Sequence, residues 1–127
     1  MPERIQRKRS KGWKMPKGVV YVGRPSKFGN PFKIVGDMIY GDASNRRGLF
    51  LSPWVHIDIS GFKTDTPLNE IAVVLYKDWV NGLNPYMLID PPSKDEIRAS
   101  LKGKKLACWC KKSAACHADV LLELANK

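Results

Sequence analysis

All three cysteines of the chain and one of its two histidines lie within ten residues near the C-terminus. They are Cys108, Cys110, Cys116 and His117. Thiolate and imidazole groups bind metals, attack electrophiles and accept protons, so a cluster this dense restricts how the surrounding chain folds. Three interpretations are open for the segment: a metal site, a reactive-thiol site or a tight ligand-binding turn.

The cluster spans a predicted strand-to-helix connection. Residues 104–110 have the composition of a strand, and residues 118–125 have apolar side chains at the spacing of a closing helix. Earlier strands are predicted at residues 19–22, 32–35, 38–40 and 54–59, with a hairpin turn at Gly36 and Asp37.

Two further helices are predicted from capping signals. Thr66 and Pro67 supply a capping hydroxyl and a proline for the first helical position, and Gly82 ends the apolar stripe that follows. Ser93 and Glu96 have the spacing of a capping box. A chain of 127 residues can bury one core. We therefore expect a small single-domain α/β or α+β fold, a mixed sheet with helices packed on it, ending strand-loop-helix.

Zinc is one hypothesis for the cluster. Cys108, Cys110, Cys116 and His117 would form a Cys₃His set, which matches the preference of zinc for thiolate and imidazole ligands. Common zinc knuckles place two to four residues between paired cysteines, whereas a single residue separates Cys108 from Cys110. The metal would then staple a module that binds a protein partner. Beyond zinc, the sequence identifies no cofactor.

Thiol catalysis is the second hypothesis. Cys116 would be the nucleophile, His117 the general base and Asp119 the residue that orients the base or acts as an acid. Cys108 is expected in the core, and Cys116 is expected to be the more exposed of the two. The corresponding reaction would be cleavage or transfer at a glycosidic bond or phosphate ester of a nucleotide or nucleic acid.

Anion binding is the third hypothesis, and two loops support it. In the strand-to-helix loop, Lys111, Lys112 and Ser113 lie where helix amides and lysine side chains would meet a phosphate. An earlier loop combines cationic, aromatic, glycine and amide residues suited to phosphate and base contacts. Its predicted ligand-binding residues are Arg24, Lys27, Phe28, Gly29 and Asn30.

The basic charge of the chain is concentrated near the N-terminus. Residues 1–33 contain ten Lys or Arg against a single acid, Glu3. We expect residues 1–18 to form a basic arm, outside a domain of residues 19–127, that attracts nucleic acid, although such charge also keeps small proteins soluble. The expected arm contacts are Arg4, Arg7, Lys8, Arg9, Lys11, Trp13 and Lys14.

Two sequence motifs together resemble a known family. Residues 24–32 read Arg-Pro-Ser-Lys-Phe-Gly-Asn-Pro-Phe, and Cys-Trp-Cys at residues 108–110 is followed by Cys-His-Ala-Asp at residues 116–119. These motifs resemble the phage and bacterial "domain of unknown function 4326" family. The resemblance implies a small cytosolic, often viral, α/β domain, and it marks residues 41–65 as an insertion.

The resemblance also pairs the two loops. If the strands that end near Gly23 and Cys110 lie side by side and parallel, both loops leave the same sheet edge and form one pocket. The predicted function is therefore binding of a phosphate-bearing ligand, nucleic acid or nucleotide, by this pocket and the arm. The catalytic and zinc-stapled hypotheses stay open. No stretch has the length of a membrane span or the pattern of a secretory signal, so we expect a cytoplasmic protein without membrane contact.

Overall fold

The computed structural model of the chain describes residues 4–23, 28–43, 54–83, 88–109 and 115–126. Within these residues the elements, in chain order, are β1 Arg4–Gln6, β2 Val20–Tyr21, β3 Phe32–Val35, β4 Met38–Asp42, β5 Trp54–Ile57, α1 Leu68–Val80, α2 Lys94–Leu101, β6 Leu106–Cys108 and α3 His117–Ala125. The predicted mixed α/β class is confirmed. The described strands form two three-stranded sheets, where the sequence predicts one.

The chain divides into two compact units. Residues 1–29 and 92–127 contain the sheet with order β1-β6-β2, in which both strand pairs are parallel. Residues 30–91 contain the antiparallel sheet with order β3-β4-β5. We call them the parallel unit and the antiparallel unit. No helix in the described ranges has the length and apolar character to cross a membrane.

In the parallel unit, β6 is the central strand. Its three residues, Leu106, Ala107 and Cys108, are all buried, as expected for a strand with neighbours on both edges. Helix α3 packs against β6 and β1, and α2 packs against α3. Ser93 caps α2 as predicted, because its Oγ accepts a hydrogen bond from the amide of Glu96 at 3.1 Å.

Strand β1 lies within the residues that the sequence predicts to be an arm. Arg4, Ile5 and Gln6 align in parallel register with Leu106, Ala107 and Cys108, and the ladder continues through the amide of Arg7, which donates to the Cys108 carbonyl at 2.7 Å. The first basic residues of the chain are therefore held against the central strand of the parallel sheet.

The antiparallel unit begins with the predicted hairpin. Gly36 has a φ of 63°, which two-residue hairpin turns favour and which costs glycine no steric strain. Strand β5 falls inside the residues marked as an insertion and pairs with β4, with Ile57 opposite Ile39. Helix α1 packs on β3 and β4, and its N-cap is Pro67 without the side-chain hydrogen bond predicted for Thr66.

Candidate functional site

The carboxyl ends of the three parallel strands meet at one edge of their sheet. Because Val20 pairs with Leu106 and Tyr21 with Ala107, β2 and β6 are adjacent and parallel, which confirms the arrangement on which the two-loop hypothesis depends. β1 ends at the same edge, since it is parallel to β6 on the other side. The next residues along the three strands are Arg7, Val22 and Trp109.

A stack of cationic and aromatic side chains lies at this edge. The guanidinium of Arg7 is 4.6 Å from the ring centroid of Tyr21 and 4.9 Å from that of Trp109. Arg9 also lies over Trp109, at 4.8 Å. We call Arg7, Arg9, Tyr21 and Trp109 the Arg–Trp cluster. Trp109 is 40% exposed.

Gly23 permits this cluster to form. A Cβ atom at Gly23 would lie 2.6 Å from Cζ of Tyr21, well inside ordinary contact distance. The absence of a side chain at this position therefore lets the tyrosine ring fold back over its own strand end, where Arg7 stacks on it.

The thiols of two cysteines are in contact near this edge of the sheet. Sγ of Cys108 is 3.0 Å from Sγ of Cys116, which is longer than a disulfide bond. Cys108 is the last residue of β6, and Cys116 is the N-cap residue of α3. The thiol contact therefore lies between the central strand and the helix that packs on it. Both are 1% exposed. The expectation for Cys108 is confirmed, and the expectation that Cys116 is more exposed is wrong.

His117 has a defined orientation beside Cys116. Its Nε2 is 2.8 Å from the carbonyl oxygen of Val22. A carbonyl only accepts hydrogen bonds, so Nε2 carries the hydrogen. In the neutral ring Nδ1 is then the acceptor, and it lies 3.6 Å from Sγ of Cys116. The predicted thiol and base are thus brought together, with a backbone carbonyl holding the imidazole.

Arg4 completes the surroundings of Cys116. Its side chain is 7% exposed, and its Nε is 3.5 Å from Oδ1 of Asp119. Burial acts to lower the pKa of Arg4, but a hydrogen bond with Cys116 and electrostatic attraction to Asp119, Cys116 and Cys108 together outweigh burial, so the pKa of Arg4 is raised. Asp119 thus contacts Arg4, whereas the catalytic hypothesis expects it to orient His117.

Several predicted ligand residues lie outside the described residues. They are Arg24, Lys27, Cys110, Lys111, Lys112 and Ser113. Phe28 and Gly29 are buried, with Phe28 5% exposed. Oδ1 of Asn30 accepts a hydrogen bond from the amide of Phe32 at 2.8 Å, a local turn contact. The ligand-binding role of these residues stays a prediction.

The remaining arm residues lie on the surface of the parallel unit. Lys8, Lys11 and Lys14 are exposed and Trp13 is half-buried. Their proposed contacts with nucleic acid stay predictions, as does zinc. In the described part of the chain, no group of three or more His, Cys, Asp or Glu side chains is arranged to hold a metal, and the predicted ligand Cys110 lies outside that part.

Sequence reasoning missed two members of the site. The sequence predicts Trp109 inside a strand and Tyr21 within a buried strand, with no binding role for either. The available signal was an aromatic residue at or just beyond the end of each strand, combined with arginines in the segment that forms the third strand. The sequence predicts Arg4 to be a basic arm residue, but its burial depends on contacts with residues far along the chain.

Comparison with known proteins identifies a family. A family model described as "Domain of unknown function (DUF4326)" matches residues 5–127. No curated protein and no solved structure matches the chain.

Proposed function

The chain belongs to the DUF4326 family of domains of unknown function, and we propose that its parallel unit binds a phosphate-bearing ligand, with single-stranded nucleic acid favoured. The observation that carries the proposal is the division of charge between the units. The residues of the parallel unit include seventeen Lys or Arg and five Asp or Glu, a net +12. The antiparallel unit contains five Lys or Arg and seven Asp or Glu, a net charge of −2. A polyanion is therefore attracted to the parallel unit.

The strand ends give the binding surface a location. Ligands of parallel α/β sheets bind beyond the carboxyl ends of the strands, where connecting loops and helix N-termini meet. In this chain that edge carries Arg7, Trp109 and the start of α3. His117, the first residue of α3, donates a hydrogen bond to the carbonyl of Val22. Strands β2 and β6, which precede the two predicted loops, end at the same edge, as a two-loop pocket requires.

The Arg–Trp cluster favours bases that are not already stacked in a duplex. A base can stack on the exposed ring of Trp109, while Arg7 and Arg9 remain close enough to pair with the flanking phosphates. Duplex bases offer no open face to such a ring. A free nucleotide would use the same ring with fewer phosphate contacts.

A salt titration separates these ligands. For a random single-stranded oligonucleotide we expect the logarithm of the binding constant to fall linearly with the logarithm of the salt concentration. The slope should be steeper than about −2, which corresponds to roughly three neutralised phosphates. A duplex of the same length serves as the comparison, and a mononucleotide tests the smaller ligand.

The outcomes distinguish the versions of the proposal. Tight mononucleotide binding with a shallow slope, and no gain with the oligonucleotide, would favour a nucleotide site over nucleic acid. Lack of affinity at low salt for all three ligands would contradict phosphate binding altogether.

A further inference from the structure

We propose that Cys108 and Cys116 form an oxidisable dithiol that a small peroxide converts to an intramolecular disulfide. In this reaction Cys116 is the attacking sulfur and Cys108 the resolving sulfur. The inference rests on the geometry around the two thiols and does not depend on what the parallel unit binds.

The two sulfur atoms are already near bonding distance. They are 3.0 Å apart, and a disulfide bond is about 2.05 Å long, so closure requires a shift of about 1 Å. One sulfur is anchored at the end of the central strand and the other at the first turn of the helix that packs on it. Rotation of the two side chains supplies such a shift without unfolding either element.

Three groups around Cys116 suit it to the role of attacking sulfur. It lies at the N-terminus of α3, where helix amides favour negative charge. Arg4 shares a hydrogen bond with it, and the low exposure of both residues strengthens their attraction. Nδ1 of His117, 3.6 Å away, is placed to take the thiol proton because Nε2 already donates to Val22. Asp119, in the first turn of α3, forms an ion pair with Arg4.

The chemistry balances with hydrogen peroxide as the only co-reactant. The proton of Cys116 passes to Nδ1 of His117, and the thiolate attacks one peroxide oxygen. The O–O bond breaks, a sulfenic acid forms on Cys116, and the departing hydroxide takes the proton from His117 to become water. The sulfur of Cys108 then attacks the sulfenic sulfur, and its proton leaves with the hydroxyl group as a second water. Two thiols are oxidised to one disulfide, and one peroxide is reduced to two waters.

Burial determines which reagents reach the pair. With each residue 1% exposed, a small peroxide enters far more readily than a bulky thiol-modifying reagent. Cys108 lies within contact of the sulfenic acid, so the second step competes with overoxidation. The resulting bond would tie together the two ends of residues 109–115, which include the exposed Trp109.

The test uses the full chain carrying Cys110→Ser, which removes the third thiol and keeps the pair. Folded protein is treated with hydrogen peroxide, denatured in an alkylating reagent, digested and analysed by mass spectrometry. We expect neither thiol to remain available for alkylation. We also expect a disulfide-linked peptide pair whose mass is two hydrogen atoms below the sum of the two reduced peptides, and we expect the oxidised protein to stay monomeric. Folded protein that retains both thiols, or that links only between chains, would overturn the proposal.

Two further variants assign the roles of the residues. With Cys108→Ser added, oxidation should stop at the sulfenic or sulfinic acid of Cys116; an unoxidised Cys116 would contradict its role as the attacking sulfur. His117→Gln retains an amide donor for Val22 but has no base. It should slow oxidation at neutral pH by on the order of 100-fold, with circular dichroism confirming the fold. An unchanged rate would rule out proton transfer to His117.

Discussion

Replacement of Trp109 by alanine is expected to weaken binding of a single-stranded oligonucleotide by about 1–3 kcal/mol, roughly 5- to 150-fold. Trp109 is 40% exposed, and its ring is the part of the Arg–Trp cluster on which we propose that a base stacks. Its removal deletes the stacking platform and leaves the positive charges in place. Affinity should therefore fall while the salt slope stays nearly constant. Fluorescence anisotropy of a labelled oligonucleotide measures both quantities.

Trp54→Ala is the matched control for this prediction. Trp54 also lies beside a cation, with Nζ of Lys33 at 3.8 Å from its ring centroid, but it belongs to the net-negative antiparallel unit. We expect its loss to leave oligonucleotide affinity unchanged. Equal weakening by both substitutions would show that binding does not localise to the Arg–Trp cluster.

Replacement of Trp79 by alanine should lower the free energy of unfolding by about 3–5 kcal/mol. The side chain is 1% exposed on the inner face of α1, and its Nε1 donates a hydrogen bond to the carbonyl of Ile89 at 2.8 Å. The substitution leaves a cavity and removes the donor for a carbonyl in the same unit. Urea unfolding followed by circular dichroism provides the measurement.

Val74→Ala on the same helix is the control for the loss of Trp79. Val74 is 46% exposed, so its truncation should change stability by no more than about 0.5 kcal/mol. If Trp79→Ala lowered the free energy of unfolding by no more than Val74→Ala does, the assignment of Trp79 to the core of the antiparallel unit would be wrong.

The elements that the sequence predicts well are those with local causes. The hairpin follows from a glycine that accepts a positive φ between two apolar runs, and the start of α2 follows from a serine hydroxyl three residues before the amide it caps. The sequence predicts the adjacency of β2 and β6 only conditionally, because the family resemblance is needed to suggest that their loops belong together. It is confirmed by the parallel register.

The parts that the sequence does not predict depend on distant partners. Arg4 and Gln6 flank the single apolar residue Ile5 within a basic segment, a local pattern typical of an exposed arm. Their strand exists because β6, about a hundred residues later, offers an unpaired edge. The burial of Cys116 also depends on distant residues. Nothing in the sequence next to Cys116 indicates that β6 and Arg4 pack against it.

A comparison of salt slopes tests most directly the claim that the parallel unit binds phosphates at the Arg–Trp cluster. The double substitution Arg7→Ala and Arg9→Ala removes two charges from the Arg–Trp cluster. Lys63→Ala with Lys77→Ala removes two exposed charges from the antiparallel unit. We predict that the arginine variant loses about 1.4 from the magnitude of the single-strand slope, roughly 0.7 for each phosphate contact, and that the lysine variant keeps the original slope. Equal slopes for the two variants would contradict the claim.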